Sequence, residues 1–274
     1  ASHAAALIAG AALAGTGAWT LKPSPPVAPP QVMRFAISLG PGERLGVANV
    51  NTVSSSVVIS PDGRQIAYVA TRDGSGTQLF VRQIDSQDAR AVPGTLGALG
   101  PFFSRDGQWI GYSTAASSYK VSLSGGTPLN MGVGFANGAY WGSDGTIAFG
   151  SNIGIQQISD SGGTPRPITQ SQPGQGVHRL PDLLPQGRGV LFAVALPAQP
   201  PIVAVYSTAT GRRDVIPGGT APRYSPTGHL IYAQEGTLFA APFDLDTLSV
   251  TSDPTPVLQG VLQTNTGFPY YSFS

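Results

Sequence analysis

Three aspartates recur at matching places in the chain: Asp62 in SPDG, Asp106 in SRDG and Asp144 in GSDG. Carboxylates repeated in this way could ring an axis and hold a divalent cation, which prefers several oxygens at once. They could equally be turn residues, because an Asp here bonds the backbone two residues on. The turn reading is the stronger, since two further copies, PQG at 185–187 and PTG at 226–228, drop the acid and keep the glycine. No metal and no cofactor is expected. The three histidines, His3, His178 and His229, show no ligand spacing. His178 and Arg179 stand just before an apolar strand, near one mouth of any channel the repeats surround, where they could touch a ligand.

A serine nucleophile requires a G-x-S-x-G elbow, and a kinase requires H-R-D and D-F-G. None of these occurs; the nearest elbow, Gly111-Tyr112-Ser113-Thr114-Ala115, falls inside a predicted strand. Gly125-Gly126 and Gly162-Gly163 lie between strands, with no helix behind them to bind a phosphate. The absence of cysteine removes a thiol nucleophile, disulfides and Cys-based zinc sites. A net charge of +1, with no basic run longer than Arg212-Arg213, gives no reason to expect nucleic acid. The segment is expected to be non-catalytic.

The elements that position these residues follow from composition and repetition. Among 274 residues there are 36 Gly and 25 Pro but only 11% charged residues, which favours short strands and turns over long helices. Turn glycines stand at Gly63, Gly107, Gly145, Gly187 and Gly228, spaced 44, 38, 42 and 41 residues apart. Each follows an apolar strand end (VVIS, PFFS, AYWG, PDLL, PRYS) and precedes a β-rich run (RQIAYVA, QWIGYST, TIAFGS, RGVLFAVAL, HLIYAQ). Third strands fit at QLFVRQID, YKVSLS, GIQQIS, IVAVYS and TLFAAPFD, and short fourth strands at ARAVPG, PLNMG, PRPIT, RDVIPGG and TPVLQG. Four strands in about 40 residues describe a propeller blade, which must pack face to face with its neighbours to bury both sides. Residues 32–274 are therefore expected to form an all-β, six-bladed β-propeller of four-stranded blades. In it YYSFS opens a truncated sixth blade, and VMRFAISLG (32–40) supplies the strand that closes the ring.

Upstream, AAALIAGAALAGTGAWTL (4–21) is uncharged for 18 residues, long enough at about 1.5 Å per residue to cross a bilayer. Residues 1–22 are read as a transmembrane helix, with a signal-peptide core and a soluble helix as rivals. Gly10-xxx-Ala14 offers a small-residue face for pairing in a homodimer. KPSPPVAPP makes 23–31 a Pro-rich linker.

VVISPDGRQIAYVA (57–70), PFFSRDGQWIGY (101–112), WGSDGTIAFGS (141–151) and RYSPTGHLIYAQEGTLFAAPFDLDTL (223–248) resemble the TolB-like propeller repeat. With RFAISLGPGERL (34–45), KVSLSGGTPL (120–129) and HRLPDLLPQGRGVLF (178–192), the chain looks like the extracytoplasmic propeller of bacterial membrane-anchored serine/threonine protein kinases. That resemblance implies a kinase domain upstream, a single pass through the inner membrane, and a sensor propeller outside. Its face or channel would bind a protein, peptide or small ligand. Two alternatives stay open: the propeller of a prolyl-oligopeptidase-like serine hydrolase, and a TolB-type periplasmic scaffold.

Overall fold

The computed structural model describes residues 38–46, 55–72, 74–135, 137–264 and 268–274. The expected membrane helix, the linker and residues 32–37 of the expected closing strand lie outside this set. No helix among the described residues is long and apolar enough to cross a membrane. The single-pass inner-membrane topology, and the membrane as a partner through 4–21, are accordingly not retained.

Twenty-two strands form five antiparallel sheets among the described residues. Blade 1 holds β1 (Glu43–Leu45), β2 (Val57–Ile59), β3 (Gln65–Arg72), β4 (Gln78–Gln83) and β5 (Ala89–Ala91), with β1 and β2 end to end along one edge of β3. Blade 2 runs β6 (Leu99–Phe103), β7 (Trp109–Ser113), β8 (Ser118–Ser122), β9 (Leu129–Asn130). Blade 3 runs β10 (Ala139–Trp141), β11 (Thr146–Ser151), β12 (Gly154–Ser159), β13 (Gly162–Pro167). Blade 4 runs β14 (Val177–Leu183), β15 (Val190–Ala195), β16 (Ile202–Ser207), β17 (Gly211–Pro217). Blade 5 runs β18 (Thr220–Ser225), β19 (His229–Gln234), β20 (Thr237–Asp244), and then β21 (Ser249–Val250) and β22 (Thr255–Gln259), which share the outer edge of β20.

The expected six blades are thus corrected to five. Residues 268–274 build no sheet; the isolated bridge Gln263–Pro269 is their only strand pairing among the described residues. A strand pattern becomes a strand only where a free edge meets it in register. This tail instead touches two blades through single bonds. The Ile59 amide donates to Ser272 Oγ at 3.2 Å, and the Tyr271 hydroxyl donates to the Ala221 carbonyl.

The turns explain why the glycines recur. In blade 1 the Gly63 amide donates to the Ser60 carbonyl at 2.9 Å with Gly63 at φ 71°. Asp62 Oδ1 accepts the Ser60 hydroxyl at 2.5 Å and the Arg64 amide at 3.1 Å. Blade 2 copies this through Ser104, Asp106 and Gly107, with the matching bonds at 2.5 and 3.0 Å. In blade 3 the turn is one residue shorter, and Asp144 accepts the amide and hydroxyl of Thr146, both at 3.0 Å. Blade 5 replaces the acid with Thr227, whose Oγ1 lies 2.9 Å from Ser225 Oγ. Gly145, Gly187 and Gly228 keep the positive φ throughout. Backbone geometry is what the repeat preserves.

Each blade buries both faces by alternation. Ala67 and Val69 of β3 join Leu79, Val81, Ile110 and Tyr112 in the core between blades 1 and 2. Residues in between, Ile66, Tyr68 and Ala70, face the other way with Phe80. Equivalent apolar cores lie between blades 2 and 3, 3 and 4, and 4 and 5.

A second backbone repeat is hidden in the innermost strands. Gly100, Gly138, Leu180 and Ala221 each stand seven residues before a turn glycine, and each has positive φ, at 57°, 84°, 50° and 50°. At three of the four the register slips by a bulge between β6 and β7, β14 and β15, and β18 and β19. Left-handed backbone costs an L-residue about 1–2 kcal/mol, which glycine avoids. A Cβ at Gly138 would also fall 2.8 Å from Leu180 Cδ2 and 3.1 Å from Leu180 Cα. Gly138→Ala is expected to lower stability by about 2 kcal/mol. Ala221→Gly, which relieves strain but loses a buried methyl, should fall between neutral and a gain of about 1 kcal/mol. Urea titration of both variants checks the contrast.

Candidate functional site

The first strand of every blade is innermost, and the five together wall an axial cavity of about 320 Å³ on the face that carries the turns. One residue from each blade stands five positions before its turn glycine and lines this cavity: Val58, Phe102, Tyr140, Asp182 and Arg223. The backbone is repeated and the chemistry is not. Arg105 from the blade 2 turn and Tyr271 from the tail add to the polar lining, with Ser55, Tyr224, Ser272 and Ser274.

Asp182 is the electrostatic centre of the wall. It is 3% exposed, so its charge survives there only with partners. Arg223 Nη1 lies 3.2 Å from Oδ1, and the Tyr224 amide donates to Oδ2 at 2.7 Å, joining blade 4 to blade 5. Burial pushes the Asp182 carboxyl above its ordinary range, with Arg223 pulling the other way. The Arg223 guanidinium also sits 5.5 Å from the Tyr140 ring centre, a cation–π distance. Burial raises the Tyr140 phenol, and Asp182 adds to that rise. Arg105 is exposed, and no hydrogen bond or ion pair engages its guanidinium among the described residues. Its charge still acts on Asp182 and Tyr140 through space, so among the described residues the mouth holds one ion pair and one cation with no hydrogen-bonded partner.

The residues singled out from the sequence fall elsewhere. Asp62 and Asp106 spend their oxygens on their own turns, which holds both carboxyls below the usual range, chiefly through the hydroxyls of Ser60 and Ser104. Among the described residues no group of three His, Asp or Glu could hold a metal ion. Ser113 Oγ pairs with Ser118 Oγ at 2.9 Å. Gly111 serves packing, because a Cβ there would meet the Phe102 ring at 2.2 Å. His178 and Arg179 stand at the end of β14 away from the turns. His178 is 1% exposed, with Nδ1 2.7 Å from Thr169 Oγ1, its ring 4.6 Å from Phe192, and Nε2 buried without a partner. Burial lowers its pKa to about 4, with a smaller push from the Arg212 charge. Its ring faces the interior. Arg179 lines a separate cavity.

Arg105, Tyr140, Asp182, Arg223 and Tyr271 carry no motif. Counting back from each turn glycine would have found the axial position of Tyr140, Asp182 and Arg223. No signal marks the tail.

The fold is that of a TolB-like β-propeller. TolB from Acinetobacter baumannii superposes with a TM-score of 0.58 at 19% identity, covering 75% of this chain and 54% of that one. This chain thus spans about half of that TolB's length. A TolB-named protein of Agrobacterium tumefaciens gives 0.57 at 16% identity, over 80% of this chain and 88% of that one. The acylaminoacyl peptidase of Pyrococcus horikoshii gives 0.52 at 11% identity, over 76% of this chain and 39% of that one. No family model and no curated protein matches the chain.

Proposed function

We propose that this segment is a non-catalytic binding propeller of the TolB type, a scaffold whose turn-side mouth grips an extended acidic stretch of a partner protein. The observation that carries this reading is that Arg105, which no hydrogen bond or ion pair engages among the described residues, lines the same cavity as Arg223 and the tail residues Tyr271–Ser274. Tyr140, Tyr224 and Tyr271 in the same wall supply flat apolar faces, which anchor peptide at interfaces. No finding links the chain to a kinase, and the receptor-kinase reading is set aside. Likeness to part of the Pyrococcus peptidase supports a second reading, the propeller of a serine hydrolase. A G-x-S-x-G elbow in flanking sequence would select it.

Fluorescence anisotropy with labelled octapeptides, one alternating Glu and Ala and one alternating Lys and Ala, tests the first reading. The acidic peptide should bind tighter, and Arg105→Ala should weaken it about five-fold, the ~1 kcal/mol of one exposed charge pair. Equal binding of the two peptides, or an Arg105→Ala variant indistinguishable from the parent, overturns it.

A further inference from the structure

On the face opposite the turns, where β14 begins and β15 ends, a second cavity of about 650 Å³ opens beside the tail residue Phe268. Its charge inventory is one-sided. Among the described residues, Arg179 is the only charged side chain in a wall of neutral polar groups, including Asn152, Ser171 and Gln199, and apolar ones. No acid lines it.

The other arginines in ion pairs set the contrast. Arg72 pairs with Glu43, Arg188 with Asp246, Arg212 with Asp214 and Arg223 with Asp182. Arg179 is half-buried, yet no hydrogen bond or ion pair among the described residues engages its guanidinium, and its Nε is fully buried without a partner. Its one recorded contact is the Phe268 ring, 5.3 Å from Cζ to the centroid. Desolvation alone depresses its pKa, with no carboxylate to offset it. An aromatic face compensates a buried cation only in part, and a guanidinium fork fits a carboxylate two bonds at a time.

We propose that this cavity binds a small monocarboxylic acid with an apolar body, its carboxylate on Arg179 and its body against Phe268 and the prolines Pro173, Pro197 and Pro201. The cavity volume falls within the roughly 300–1,000 Å³ of small-molecule sites. A single cation matches a single negative charge. A phosphate dianion would need a second, which the described residues of the wall do not supply. This site lies on the other face from the acidic-peptide mouth and does not depend on it.

Calorimetric titration with N-acetyl-phenylalanine tests the proposal, with N-acetyl-phenylalaninamide and phenyl phosphate as comparators. The acid should bind, the amide at least about ten-fold more weakly, and phenyl phosphate no tighter than the acid. Arg179→Met, which keeps the stem against Phe268, should lose at least about ten-fold in affinity for the acid. Arg105→Ala should leave that affinity unchanged, which separates failure of this site from failure of the turn-side mouth. If Arg179→Met does not fold, the acid–amide comparison on the parent protein decides. No binding of the acid at millimolar concentration, an amide as tight as the acid, a tighter phenyl phosphate, or an unaffected Arg179→Met each overturns it.

Discussion

Replacing Asp182 with alanine lowers the stability of the propeller by about 3 kcal/mol, measured as a shift in the urea midpoint at unchanged slope. The loss has two parts. The Tyr224 amide, held at 2.7 Å by Oδ2, keeps no acceptor, and an unsatisfied buried N–H costs about 1–3 kcal/mol. Arg223 keeps its charge beside Tyr140 without the carboxylate that offsets it. Its side chain is 33% exposed, so water takes up some of that penalty and the figure stays at the low end for a broken buried pair. Asp182→Asn should lose less, because an amide oxygen can still accept from Tyr224. A loss under about 1 kcal/mol for the alanine variant would mean that blades 4 and 5 are joined by apolar packing alone.

Acid weakens the fold through His178. Its folded pKa, about 4, lies below the 6.5 of an unperturbed imidazole, so the unfolded chain binds the proton first. Stability is full above pH 6.5 and drains away as pH falls from 6.5 toward 4, by about 3 kcal/mol in all. Asp182 works in the opposite sense, since its raised pKa favours the folded state on acidification. The two are separated by His178→Leu, which removes one titration and leaves Thr169 Oγ1 accepting the Ile155 amide at 2.9 Å. The variant should be less stable at neutral pH and should lose the fall between pH 6.5 and 4, leaving Asp182 to raise its stability as the pH drops. A variant whose pH slope parallels that of the parent would show that His178 protonates without opening the fold.

What could be read from the chain divides along a physical line. Positive φ in a tight turn can be met cheaply by one residue type, so Gly63, Gly107, Gly145, Gly187 and Gly228 announce the blades even where the turn aspartate is lost. The same demand at Leu180 and Ala221 is met by ordinary residues held in place by their surroundings, and nothing in their identity reveals it. The axial residues were illegible for a related reason. No single demand acts at this position: Val58 and Phe102 pack against neighbouring cores while Asp182 and Arg223 form an ion pair, so Val, Phe, Tyr, Asp and Arg can follow one another there without a pattern. Of the two residues expected at a mouth, Arg179 lines a cavity, whereas its neighbour His178 turns inward to Thr169 and Phe192. The blade count was misjudged because YYSFS alternates like a strand, while alternation says nothing of whether an edge is there to receive it.

Four of the blade boundaries are sealed by shared apolar cores, and none of these cores joins blade 5 to blade 1 among the described residues. Among the described residues only the tail spans that seam by hydrogen bonds, with Tyr271 on one side and Ser272 on the other. The ring is mechanically a split washer. With cohesion passing only between nearest neighbours, thermal fraying starts at the two lips of the split and works inward, and the sheets diametrically across from it are the last to let go.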